Sequence, residues 1–343
     1  MQMKKVLGLV LALAMVMSLL VSCGGNSSEE KKEEEGGAPE QIVIGTQGLM
    51  NLETYAQLEK MIEEKMGDVT VEWKQFNAGK DLNQAFAAGE IDFGVLGASP
   101  VAVALAQGID YKVIYSTAML TNTEAMVATP NSGIKSVKDL EGKTVACTFT
   151  STCHYTLLSA MEHEGVDASK VKIIDMEPDK IVAAWKRGDI DAAYTWNPAL
   201  GQLKAEGGKL IVTSGEVGEM GYPVADFAVV RTEFADQYPD YVKKYLEALV
   251  DAEAVYAETP EKVYEAFANH FEGYTAKTVK EAMTDDYYTG KEQVEKYFDT
   301  DEYTKLVVKI SEFLADQEQI DKALDEEFVG EHVDGSFLSE VAK

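Results

Sequence analysis

Two kinds of side chain in this sequence have the type and spacing to do chemistry. The first are hydroxyls that follow strand-like runs: Ser99 in Gly97-Ala98-Ser99-Pro100, and Ser151 and Thr152 at the head of a helix-like stretch reaching His163. Asn197-Pro198 follows Trp196 in the same way. A helix that begins where a strand ends presents unpaired N–H groups and the positive end of its dipole, so hydroxyls placed there suit an anion. Each hydroxyl taken alone reads as a plain helix N-cap; their joint placement after strands is what brings a ligand into the reading. The second kind is the buried acid. Asp226 interrupts the otherwise apolar run 223–230, where a carboxylate would be costly without a cation. Glu124, which opens another apolar run after Asn122, is of the same kind. The indole face of Trp196 would hold an alkyl chain or an ammonium group. The chain has only two arginines, Arg187 and Arg231, so an anion would be held by backbone dipoles and hydroxyls, not by a guanidinium cluster.

Catalysis is not expected. Ser132-Gly133-Ile134-Lys135 fits SxxK, but the partner motifs of that hydrolase class are missing. Gly97-Ala98-Ser99-Pro100-Val101 is not GxSxG, and Ser151 with His154 has no orienting acid. His154, His163, His270 and His332 are too scattered for a metal site, and no cofactor motif is present.

The elements that must position these residues alternate. Apolar runs at 41–45, 69–76, 91–96, 111–119, 125–128, 144–148, 171–176 and 192–196 are interleaved with helical patterns, which predicts an α/β fold with largely parallel strands. Beyond residue 234 the pattern is mainly helical, clearest at 239–257, 260–269 and 301–316. One internal echo stands out: Ala88-Gly89-Glu90-Ile91-Asp92 and Arg187-Gly188-Asp189-Ile190-Asp191 each close a helix, with glycine suited to the left-handed C′ position, and open a strand. Each strand then ends in a polar residue plus proline, Ser99-Pro100 or Asn197-Pro198, which predicts an N-cap followed by proline at the first helical position. Two units of one design suggest two similar lobes.

The 343 residues, 46% hydrophobic and 26% charged, suit a globular body of two domains. A net charge of −28 excludes nucleic acid, which asks for a basic face. Lys4 and Lys5 precede an apolar run at 6–20 that is too short to span a bilayer, so residues 1–22 read as a signal peptide. The run ends Leu20-Val21-Ser22-Cys23, which resembles the lipobox of bacterial lipoproteins and makes Cys23 the lipidation site. Residues 23–40, polar and acidic, read as a disordered tether. Cys147 and Cys153 are read as free thiols, although an exported protein permits a disulfide.

Taken together, the stretches 97–104, 122–125, 151–158 and 183–196, with Asp226, resemble the taurine and aliphatic-sulfonate solute-binding lipoproteins of bacterial ABC importers over about residues 41–231. The resemblance implies a two-lobed type II periplasmic-binding-protein-like fold with hinge strands: lobe 1 from 41–122 plus 223–343 and lobe 2 from 123–222. It implies a ligand-binding set of Ser99, Asn122, Glu124, Ser151, Thr152, His154, Trp196 and Asp226. Hydroxyls and helix N-termini would hold the sulfonate, and Asp226 the ammonium. A small zwitterionic or anionic ligand, a membrane permease with its ATPase, an extracytoplasmic location on a lipid anchor and a monomeric state follow as expectations. Alkanesulfonate, nitrate or a thiamine precursor are alternative ligands, and a sensory ligand-binding lipoprotein is an alternative role. The cysteines at 147 and 153, Asn197 after the tryptophan and the helical tail from Tyr238 depart from the family pattern.

Overall fold

A computed structural model describes residues 37–343; the expected signal peptide, Cys23 and most of the expected tether lie outside the described residues. The alternating pattern folds into ten strands: β1 Gln41–Thr46, β2 Thr70–Gln75, β3 Phe93–Gly97, β4 Tyr111–Met119, β5 Glu124–Ala128, β6 Thr144–Cys147, β7 Lys172–Asp175, β8 Ala192–Trp196, β9 Lys209–Thr213 and β10 Ala225–Arg231. They form two five-stranded sheets, ordered β2-β1-β3-β10-β4 and β7-β6-β8-β5-β9. The two layouts are the same when β6, β7, β8 and β9 are set against β1, β2, β3 and β4, and β5 against β10, so the chain carries two lobes of one spatial arrangement.

The expectation of largely parallel pairing is corrected. In each sheet the first three strands are parallel, but β10 runs antiparallel to both β3 and β4, and β5 antiparallel to both β8 and β9. The reason is the chain path. Each lobe's antiparallel strand arrives from the other lobe: β5 follows the crossing at 120–123, and β10 follows the crossing at 214–224.

The echo noted in the sequence has a physical basis. Its last residues, Asp92 and Asp191, stand just before β3 and β8, the equivalent central strands. The Asp92 carboxylate accepts from the Val43 N–H of β1 at 2.9 Å, and that of Asp191 from the Thr144 N–H at the start of β6 at 2.8 Å. Each acid thus satisfies a backbone donor at the entry of the neighbouring strand, where the ladder has not yet begun. Arg231 adds an ion pair to Asp92 at 2.7 Å.

The helical tail builds onto the first sheet's lobe. In the helix Pro239–Glu258 the buried residues Val242, Tyr245, Leu246, Leu249 and Ala252 recur at helical spacing and face the same core as helices Leu52–Leu58 and Met61–Met66. The edge strand β4 is covered by residues 332–334: the Val113 N–H donates to His332 O at 2.7 Å, and the Asp334 N–H to Val113 O at 2.9 Å. No helix among the described residues is long and apolar enough to cross a membrane. Cys147 and Cys153 are both buried free thiols.

Candidate functional site

The carboxyl ends of the central strands meet in a cavity of about 50 Å³, several times what one water needs. Gly97 and Pro100 line it from the end of β3 and the helix that follows, Ser151 and Thr152 from the head of the helix Thr152–Glu164, and Trp196 and Asn197 from the end of β8. Asp226 sits in β10 between Gly97 of β3 and Ala118 of β4, two small neighbours that leave space for its carboxylate. Glu124 begins β5 and pairs across the ladder with Trp196. The shared topology therefore sets one acid from each lobe at the start of its antiparallel strand, beside the end of its central strand.

The lobes are in contact here. A Cβ on Gly97 would overlap Cγ2 of Thr152 and lie 3.4 Å from an oxygen of Asp226. At the rim, Lys80 reaches across to Glu177 at 2.8 Å and Asp175 at 3.3 Å.

Of the eight residues expected to bind ligand, Glu124, Ser151, Thr152, Trp196 and Asp226 line this cavity. The other three do not. Ser99 was expected to cap its helix, but the helix starts at Ala98 with Gly97 as its cap, which turns the Ser99 hydroxyl into the protein, fully buried and without a partner. Asn197 likewise does not cap: the helix there starts at Ala199 behind Pro198. Asn122 lines a separate groove with Tyr274 and Glu281. His154 lies two positions after Thr152, about 200° around a helix, and so faces a different groove, stacked on Phe149 at 4.4 Å between ring centres.

The cavity also holds residues that the sequence reading missed. Gln47, Met50 and Asn51 follow β1 and obey the same strand-end rule that located the others. Asp285 and Tyr287 come from the helical tail, where no local pattern marks them.

Among the described residues the cavity lining has three carboxylates, Glu124, Asp226 and Asp285, and no Lys, Arg or His. Their surroundings differ. Glu124 is held by the hydroxyls of Thr152 at 2.5 Å and Ser214 at 3.2 Å; burial pushes its carboxyl up to about 7 against those bonds. Asp285 accepts backbone N–H groups from 121–123, with burial still raising its pKa. The Asp226 carboxylate has no hydrogen-bond donor among the described residues, and burial, then the charges of Glu124 and Asp285, push it well above the usual range. A lone acid of this kind is the position where a cationic group gains most.

On the other side are donors. Ser151 caps its helix, accepting from the His154 N–H at 3.2 Å, and the first N–H groups of that 13-residue helix have no intrahelical partner. The site therefore offers a carboxylate region and a helix N-terminus within one small enclosure, which suits a short molecule with both charges. Among the described residues no group of three His, Cys, Asp or Glu is arranged to hold a metal ion.

A model of the "NMT1/THI5 like" family matches residues 65–263. Over 206 residues, 60% of this chain, the sequence is 39% identical to the taurine-binding periplasmic protein of Escherichia coli strain K12; the match spans 63% of that relative's length, less than two thirds. The fold resembles the alkanesulfonate-binding protein of Xanthomonas axonopodis pv. citri bound to MOPS, with a TM-score of 0.72 and 19% identity over 87% of this chain and 99% of that one. It also resembles the periplasmic aliphatic sulphonate binding protein of Escherichia coli, with a TM-score of 0.67 and 20% identity over 84% and 91% of the two chains. At these identities the two structures speak to the fold.

Proposed function

The chain belongs to the NMT1/THI5-like family, and from that premise we propose that it is the extracytoplasmic solute-binding protein of an ABC importer, capturing taurine or a similar small aminosulfonate between its lobes for delivery to a permease. The observation that carries this reading is the Asp226 carboxylate, without a hydrogen-bond donor among the described residues, in a cavity that also receives a helix N-terminus. The ammonium is assigned to Asp226, with Trp196 alongside, and the sulfonate to the backbone N–H groups at the head of the helix Thr152–Glu164, since the Ser151 hydroxyl donates to Thr148 O and the Thr152 hydroxyl to Glu124. Lobe 1 is taken as 41–122 plus 223–343 and lobe 2 as 123–222, working as a monomer. The similarity to a taurine-binding protein supports this ligand class. Nitrate or an unsubstituted alkanesulfonate is less well served, because three carboxylates face the space and only a cationic end offsets them.

Residues 37–343 form a compact unit of their own. Calorimetric titration of that unit with taurine, butanesulfonate and sulfate tests the reading. Taurine is expected to bind most tightly and to be recovered unchanged; no heat with taurine, or its consumption, would sink it.

A pH dependence follows from Asp226, the proposed ammonium partner. Burial, then the charges of Glu124 and Asp285, hold its carboxyl well above the usual carboxylate range. An ammonium group favours the ionised form, so taurine affinity should rise as pH increases above the ordinary carboxylate range, and binding should release protons. Titrations in buffers of unequal ionisation enthalpy measure that release; uptake of protons would contradict the assignment.

Cys23 is proposed as the lipid attachment point that holds the protein at the membrane surface. Cys23→Ser should leave the fold intact and move the protein to the soluble fraction, since acyl chains supply the anchoring free energy. Retention on the membrane would refute lipidation at this residue.

A further inference from the structure

Where the chain leaves one sheet and has not yet joined the next, its backbone donors have no ladder to enter, and buried N–H groups left unpaired are costly. The crossing between β4 and β5 meets this need through one side chain from far along the sequence. Asp285 Oδ1 accepts from the N–H groups of Thr121 at 2.8 Å, Asn122 at 2.9 Å and Thr123 at 3.1 Å, and Oδ2 accepts from the Thr123 hydroxyl. Three consecutive N–H groups converging on one anion form a nest.

The neighbouring bonds give this nest its meaning. Met119 and Asp286 exchange backbone bonds at 3.0 and 3.1 Å, which fixes the tail to the lobe 1 side of the crossing. The Asn197 side chain donates to Ala282 O at 3.4 Å, and the Tyr274 hydroxyl to Pro198 O at 3.0 Å, which fixes the tail to lobe 2. The second crossing joins through Gly215 N–H to Thr121 O at 2.8 Å. The segment 274–286 thus straps both lobes at the hinge, and Asp285, which also lines the cavity, is its point of attachment to the moving backbone.

We infer that Asp285 is a positioning residue for lobe closure: it gathers the crossing 121–123 into the shape that brings the two lobes together around a ligand. This rests on reading the chain as a ligand clamp. The role differs from that of Asp226, because a hinge residue acts on every ligand while an ammonium partner acts on aminosulfonates alone.

The test uses residues 37–343 carrying Asp285→Ala or Asp285→Asn, titrated with taurine and butanesulfonate, with hydrogen exchange followed at amides 121–123. Asp285→Ala should lose at least about tenfold in affinity for both ligands alike, with faster exchange at those amides and less compaction by small-angle scattering at saturating ligand. Asp285→Asn keeps an acceptor oxygen, weakened by loss of charge assistance, and should lose clearly less. Wild-type affinity in Asp285→Ala, a loss confined to taurine, or an asparagine variant as impaired as the alanine variant would each overturn the inference. Should the alanine variant not fold, unchanged exchange at 121–123 in Asp285→Asn overturns it and faster exchange supports it. If the wild-type protein binds neither sulfonate, the functional reading has failed, and the exchange comparison still decides whether Asp285 governs the hinge.

Discussion

Gly97→Ala is expected to weaken taurine binding at least about tenfold while leaving the thermal stability of the ligand-free protein almost unchanged. The added methyl would sit inside the 3.0 Å that real Cβ contacts essentially never cross, against Cγ2 of Thr152. Thr152 has little room to yield. It is β-branched, buried, and its hydroxyl is committed to Glu124 at 2.5 Å. The overlap lies between lobes, so the molecule relieves it by staying open, and the cost falls on the closed, liganded state. Overpacking of this kind costs roughly 1–3 kcal/mol, and about 1.4 kcal/mol is a factor of ten in affinity. Glycine is needed here for close approach and not for an unusual backbone, since its φ is −66°. Thr152→Ser removes Cγ2 and keeps the hydroxyl, so adding it to Gly97→Ala should restore most of the lost affinity. Calorimetry on the single and double variants, with ligand-free melting as control, checks both parts; unchanged binding by Gly97→Ala would mean that the lobes do not close on this contact.

How much of this was legible in the sequence depends on how far apart the interacting residues are. The duplicated topology was visible because its marker is local: a glycine ends a helix and an acid three residues later serves the entry of the neighbouring strand. Asp92 and Asp191 fulfil that role in identical positions of the two sheets. Strand ends were legible too, and the same rule extended to β1 would have added Gln47 and Asn51.

Where local signals failed, a longer-range or rotational effect decided. Ser99-Pro100 looked like a cap and first turn, yet β3 passes directly into its helix through Gly97, which moves the serine one turn position inward and away from the cavity. His154 and Thr152 share the stretch 151–158 that carries the resemblance, but helical rotation separates them onto different grooves. Antiparallel β10 was unreadable for another reason: whether a strand runs with or against its neighbours depends on where the chain has been, and that is set by the two crossings. Asp285 is the extreme case, bonding to residues more than 160 positions earlier. Nothing near Asp285 in the sequence distinguishes it from the acids around it.

Asp226→Asn separates ligand recognition from hinge action. Asparagine preserves the shape of the side chain and removes the charge, so packing between Gly97 and Ala118 is retained. A hydrogen bond to a charged group contributes roughly 1.5–3 kcal/mol net. Asp226 has no competing donor among the described residues to share that contribution. Taurine should therefore lose at least about tenfold in affinity, from about 1.4 kcal/mol upward. Butanesulfonate has no ammonium to lose and gains relief from one of the three carboxylates that face the cavity. Its affinity should stay level or improve, so the ratio of the two affinities moves further than either alone. The substitution also removes one of the charges behind the net −28, a small gain for a simple anion, which long-range repulsion opposes, and none for a zwitterion of zero net charge. Parallel titrations of wild type and Asp226→Asn with both ligands decide the matter. Equal losses for taurine and butanesulfonate would make Asp226 a structural residue and leave the ammonium without its proposed partner.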